Sequence, residues 1–124
     1  MGKRVSTRDR LHQLLRWCVN EWGYEARLRV EKRLPRGYAR CLGCVEFDND
    51  WPKGLPPLIR VKKTNRSEGI TTLLHEYSHV IDVHENGFSE GRRNEGHDAK
   101  FRNILHSVES RFLYEGGEAE SMDY

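Results

Sequence analysis

Two histidines four residues apart, His75 and His79, stand with Glu76 inside a stretch whose apolar residues Ile70, Leu73, Leu74, Tyr77, Val80 and Ile81 recur at helical spacing. Few patterns restrict a chain more. The segment must be helical for its apolar residues to share a side, and once it is helical the two imidazoles lie one turn apart on one face. Asn65, with Glu68 three residues on, resembles a capping box and predicts the start, and Asn86-Gly87 predicts the end. With 6 His and 13 Glu in 124 residues, chance alone yields about 0.03 matches to His-Glu-x-x-His. The spacing therefore marks a metal site suited to zinc hydrolysis, with His75 and His79 as ligands and Glu76 directed at the attacking water.

A catalytic zinc takes three protein ligands and keeps a fourth position open, so one more ligand is needed. His84 lies nine residues beyond His75, about half a turn off the metal face at roughly 100° per residue, and is expected at the surface. His12 belongs to the polar side of another helix. His97 and His106 fall on the last helix but face opposite ways. His97, four residues before Phe101, shares the inward stripe and is the expected third ligand, while His106 points out. Glu95 is the alternative, an acidic ligand of the kind thermolysin-like enzymes use. The metzincin pattern is excluded, since it needs a glycine at position 82 and a histidine at position 85, where the chain has Asp82 and Glu85.

The rest of the chain supplies a frame for this helix. Leu11, Leu14, Leu15, Cys18, Val19 and Trp22 define an amphipathic helix opened by Ser6 and closed by Gly23. Alternation from Tyr24 to Glu31 predicts a half-buried strand, Tyr38 to Phe47 a second extended stretch, and Leu58 to Lys63 a third. A loop with three prolines runs from Asp48 to Pro57, and a last helix carries Phe101, Ile104, Leu105, Val108 and Phe112 before Gly116-Gly117. The expectation is one α+β domain over 1–114: an N-terminal helix, a three-stranded mostly antiparallel sheet, the HExxH helix and a C-terminal helix. Residues 115–124 are expected to form an acidic flexible tail.

Composition narrows the setting. No apolar run approaches the roughly 20 residues that cross a bilayer, and the first ten residues lack a signal-like apolar stretch. Three cysteines are too few for a disulfide scaffold, which favours a reducing, cytoplasmic compartment. Cys41-x-x-Cys44 has no second pair to complete a structural zinc site and is taken as ordinary strand sequence. The net charge of +2 conceals +9 over residues 1–66 against −7 over 67–124. The basic half points to an anionic partner such as DNA, and hence to a nucleoid or nuclear location if DNA is engaged.

In these residues the chain resembles the SprT-like zinc metalloproteases, which include the Spartan proteases of DNA–protein crosslinks. The likeness rests on the leading helix, Arg40-Cys-Leu-Gly-Cys44, Leu58-Ile-Arg-Val61, the TTLLHEYSHVID helix and GHDAKF, which is similar to the family's GHGxxF segment. Asp98 stands where that segment has glycine. The resemblance implies a small zincin-like domain that hydrolyses peptide bonds, with zinc on His75, His79 and His97, Glu76 as general base, Phe101 as packing aromatic, and DNA-bound proteins among its substrates. It further implies a substrate extended beside an edge strand, for which Leu58 to Lys63 is the candidate. Tyr77, Arg102 and Tyr114 are candidate oxyanion donors by residue type alone, with Tyr77 also expected to pack in the core, and none is assigned the role. Two rivals stay open: an ImmA-like regulatory HExxH peptidase with an acidic third ligand, and a non-catalytic zinc-stabilised DNA-binding module.

Overall fold

A computed structural model of the chain describes residues 5–38, 40–88 and 97–116. The first helix, α1 (Thr7–Trp22), starts where the Ser6 hydroxyl accepts the Asp9 amide at 3.1 Å. It stops at Gly23, whose φ of 82° is a left-handed conformation that glycine adopts without a Cβ penalty. Three short strands follow, β1 (Arg27–Glu31), β2 (Gly43–Glu46) and β3 (Leu58–Lys62). Two helices complete the chain, α2 (Arg66–Asn86) and α3 (Ala99–Arg111), the latter running into a π-helical turn at Phe112–Gly116. The α+β architecture expected from the sequence is the observed one.

The sheet order is β1-β3-β2, with β1 parallel and β2 antiparallel to β3. The sheet is thus mixed, where mostly antiparallel pairing was expected, because the chain passes through β2 before β3 enters between the two earlier strands. Leu58–Lys62 is consequently the central strand, and its expected role as a substrate-side edge is corrected. Leu58, Ile59 and Val61 are all buried, whereas Arg27 and Arg29 of β1 are exposed. Ile59 and Val61 of β3 face α2 while Arg60 and Lys62 alternate onto the outer face, and the strand is the most enclosed of the three because it is flanked on both edges. Arg60, also on β3, ties both flanking strands to it through ion pairs with Glu31 and, at 3.0 Å, with Glu46.

The inner sheet face, α1 and α3 all pack against α2. Leu11, Leu14 and Cys18 of α1, Ile59 and Val61 of β3, Leu73, Tyr77 and Val80 of α2 and Val108 of α3 make one fully buried core. Burying side chains of this size stabilises the fold by about 1.5–3 kcal/mol each before entropy is counted. Tyr77 is held further by its hydroxyl, which donates to the Tyr24 carbonyl at 2.7 Å. Such packing fixes the rotation of α2 about its own axis and so decides which face is left toward the cleft. Among the described residues no helix is long and apolar enough to cross a membrane.

Candidate metal centre

Helix α2 begins where the Asn65 side chain accepts the Glu68 amide at 2.8 Å, and its site face turns away from the core two turns later. His75 and His79 stand there half-buried, one turn apart. His97 arrives from the other side of the site. It sits just before α3 rather than on it, because the helix starts at Asp98, whose carboxylate accepts the Phe101 amide at 3.0 Å. His97 is exposed, not part of the inward stripe, yet it reaches the same point. Asp98, where the resembled family has glycine, is therefore a helix cap that sets the position of the neighbouring histidine.

The three Nε2 atoms converge. His97 Nε2 lies 3.2 Å from His75 Nε2 and 3.1 Å from His79 Nε2. A tetrahedral zinc with Zn–N of about 2.0–2.1 Å places its nitrogens about 3.3–3.4 Å apart. Hydrogen bonding alone serves this cluster poorly, since each Nε2 carries at most one hydrogen and His97 faces two partners. One shared cation would satisfy all three lone pairs. Burial, with His97 nearby, lowers the His75 pKa and favours the neutral imidazole that binds metal. Phe101, fully buried, floors the cluster: its ring stacks on His79 at 4.1 Å and lies 5.1 and 5.0 Å from His75 and His97. The three histidines could hold a metal ion, and among the described residues no other His, Cys, Asp and Glu group could.

Glu76, 8% exposed, lies beside the cluster on the same helix, and burial pushes its carboxyl up to about 7. A carboxyl poised there can exchange protons near neutrality. Gly43 of β2 makes this burial happen. A Cβ at Gly43 would stand 2.6 Å from Thr72 Cγ2, 3.0 Å from the Arg60 carbonyl and 3.1 Å from Glu76 Cγ, so only glycine lets the strand approach so closely.

Between β2 and α2 runs a cleft of about 750 Å³. Tyr38, Leu42, Gly43, Val45 and Phe47 line one wall, and Thr72, His75, Glu76, His79 and Val83 line the other, with His97 closing in. Asp82, buried and accepting Asn86 Nδ2 at 2.7 Å, also borders it. The Leu42 carbonyl accepts the Lys62 amide at 2.8 Å, opposite it in register. By antiparallel alternation, residues 42, 44 and 46 turn their main-chain groups to β3, while Gly43 and Val45 turn theirs to the open side. Among the described residues no strand pairs with that side.

The other candidates separate cleanly. His106 is exposed on α3, and His12 is half-buried on α1, both away from the cluster. His84 is exposed, as expected, but stacks on Tyr24 at 4.4 Å and meets Trp51 edge-on at 5.0 Å. Glu95 lies outside the described residues, as does the tail from 117 on. Of the three candidate oxyanion donors, Tyr77 is sealed in the core, as expected, Arg102 is exposed on α3, and Tyr114 stands near Trp22 and Arg111. None of the three lines the cleft. Cys41 is exposed and Cys44 buried, both as free thiols. Burial, with Glu46 and Glu76 near, pushes Cys44 up to about 11 and leaves it a poor ligand at neutral pH. Sequence reasoning missed Tyr38, Phe47 and Phe88 as cleft residues; the one available signal was that Phe88 follows the helix stop Asn86-Gly87 and so must sit at the exit of the site helix. Comparison of the chain with family models, with curated proteins and with solved structures yields no match.

Proposed function

We propose that this chain is a zinc-dependent endopeptidase of the SprT-like kind. The observation that carries the reading is the meeting of His75, His79 and His97 through their Nε2 atoms in a cleft that also holds the buried Glu76 and a strand edge that pairs with no strand among the described residues. Zinc on these nitrogens supplies Lewis-acid polarisation of the scissile carbonyl and acidifies the attacking water. Glu76 takes the proton of that water as its oxygen bonds to the carbonyl carbon, and returns it to the amine as the C–N bond breaks. The open side of β2 holds the substrate extended, through the main-chain groups of Gly43 and Val45. A third histidine at the convergence point favours this reading over the ImmA-like one, whose third ligand is acidic.

Action on DNA-bound proteins rests on charge. Arg27, Arg29 and Lys62 share the outer sheet face by register, and Lys32, Arg33 and Lys63 are exposed where those strands end. Such a face attracts phosphates. The test is cleavage of a basic DNA-binding protein with and without single-stranded DNA. Glu76→Gln should keep its zinc and lose turnover by about 10²–10⁴. Equal cleavage by that variant would remove Glu76 as the base, and DNA binding that survives it with no proteolysis by the wild type would establish the binding-module alternative.

A further inference from the structure

One end of the cleft carries a cluster of packed rings. Val83, Phe47 and Phe88 line the end near the finish of α2, while Thr71, Thr72 and Cys41, with Tyr38 and Leu42 beside Cys41, line the end near its start. Phe47 and Phe88 meet edge to face at 5.0 Å, and each packs on Trp51, at 5.3 and 5.5 Å. Trp51 is fixed in turn by His84. This ring cluster is held in place, yet Phe88 remains 62% exposed at the cleft mouth. A phenyl ring so placed buries further only when something apolar lies against it.

The open edge of β2 says what that something is. Gly43 and Val45 turn outward main-chain groups that pair with no strand among the described residues, which selects an extended peptide. Glu76 stands beside Gly43, and from Gly43 to Phe47 a paired peptide advances about 13 Å at roughly 3.3 Å per residue. A residue within about four positions of the bond facing Glu76 therefore reaches the rings. We propose that Val83, Phe47 and Phe88 form a specificity subsite for a bulky apolar side chain (Leu, Met, Phe or Trp) on one side of the scissile bond. The proposal deepens the endopeptidase reading and rests on it.

The experiment uses the zinc-loaded Glu76→Gln protein and fluorescein-labelled ten-residue Ala/Ser peptides in which a single Phe is walked through each position. Anisotropy should show about tenfold tighter binding for Phe at one or two adjacent positions. Phe88→Ser, at an exposed position, should weaken binding of the preferred Phe peptide about tenfold, so that its advantage over the all-Ala/Ser peptide is lost. Binding that is independent of the Phe position, absent altogether, or unchanged by Phe88→Ser overturns the subsite. Wild-type cleavage of the same series then separates the two claims. Hydrolysis without positional preference leaves the endopeptidase reading and ends the subsite, whereas position-dependent binding without hydrolysis ends the endopeptidase reading and, with it, the subsite's assignment to a scissile bond, leaving only an apolar peptide-binding pocket.

Discussion

His79 Nε2 and His97 Nε2 stand 3.1 Å apart although 18 residues separate them in the chain. One is placed by the middle of a long, core-packed helix, and the other by the cap of a different helix. Two caps and one aromatic floor thus do the work of a preformed ligand set. The consequences are measurable.

Removing the cap should loosen the ligand it positions. Asp98→Ala deletes the acceptor of the Phe101 amide and should cost about 1 kcal/mol of stability in the metal-free protein. Its zinc affinity should fall about 10–100-fold, as for other residues that orient a ligand. Competition titration against a chromophoric chelator checks this. His97→Ala should lose more, since a ligand itself is gone, and equal affinity in the two variants would mean that the cap holds the whole set.

Metal should stabilise the fold, because His75 and His79 stand on α2 and His97 just before α3, segments that unfolding separates. Zinc at 100 times its dissociation constant contributes about 2.7 kcal/mol, which for a domain of this size raises Tm by about 10 °C. A chelator should reverse the shift. His75→Ala, His79→Ala and His97→Ala should each show little response to zinc in the same melt.

Gly43→Ala should strain the seam between β2 and α2. Its Cβ would meet Thr72 Cγ2 at 2.6 Å, and overpacking of this kind costs about 1–3 kcal/mol. Thr72→Ser deletes that methyl. The double variant should recover part of the loss in a urea double-mutant cycle, with a remainder set by the Arg60 carbonyl at 3.0 Å and Glu76 Cγ at 3.1 Å. Simple additivity would place the clash elsewhere.

His84 gives a pH signature. Burial lowers its pKa in the fold, so the unfolded chain takes up the proton first as pH falls. Its contribution is present above the ordinary histidine pKa of about 6.5 and is lost as pH drops through the lowered folded value. Unfolding free energies of wild type and His84→Gln, measured from pH 7.5 to 5, should diverge least at the acid end. The comparison is of slopes, since the variant also loses the ring contacts with Tyr24 and Trp51.

Much of this was legible in the chain. Ser6, Gly23, Asn65 and Gly87 set helix ends by local hydrogen bonds and backbone freedom, and these act within four residues. His75 and His79 were legible for the same reason, as helical spacing alone puts them together. His97 was reached by elimination and by resemblance, but its expected place on the helix stripe gives way to the position just before the cap Asp98. The role of Asp98 was hidden because a cap and a metal-orienting carboxylate look alike in sequence.

What the sequence by itself determined is local and periodic: helix limits, the apolar stripes, the paired imidazoles and the alternation of β1. The tertiary structure alone decided that β3 enters between β1 and β2, which makes β2 the open edge beside Glu76. It also decided that Phe47, Trp51 and Phe88 meet at the mouth of the cleft. Strand order and ring clusters arise from packing among segments far apart in the chain, where each residue's neighbours are chosen by the shape of the whole core, and no spacing along the sequence encodes that choice.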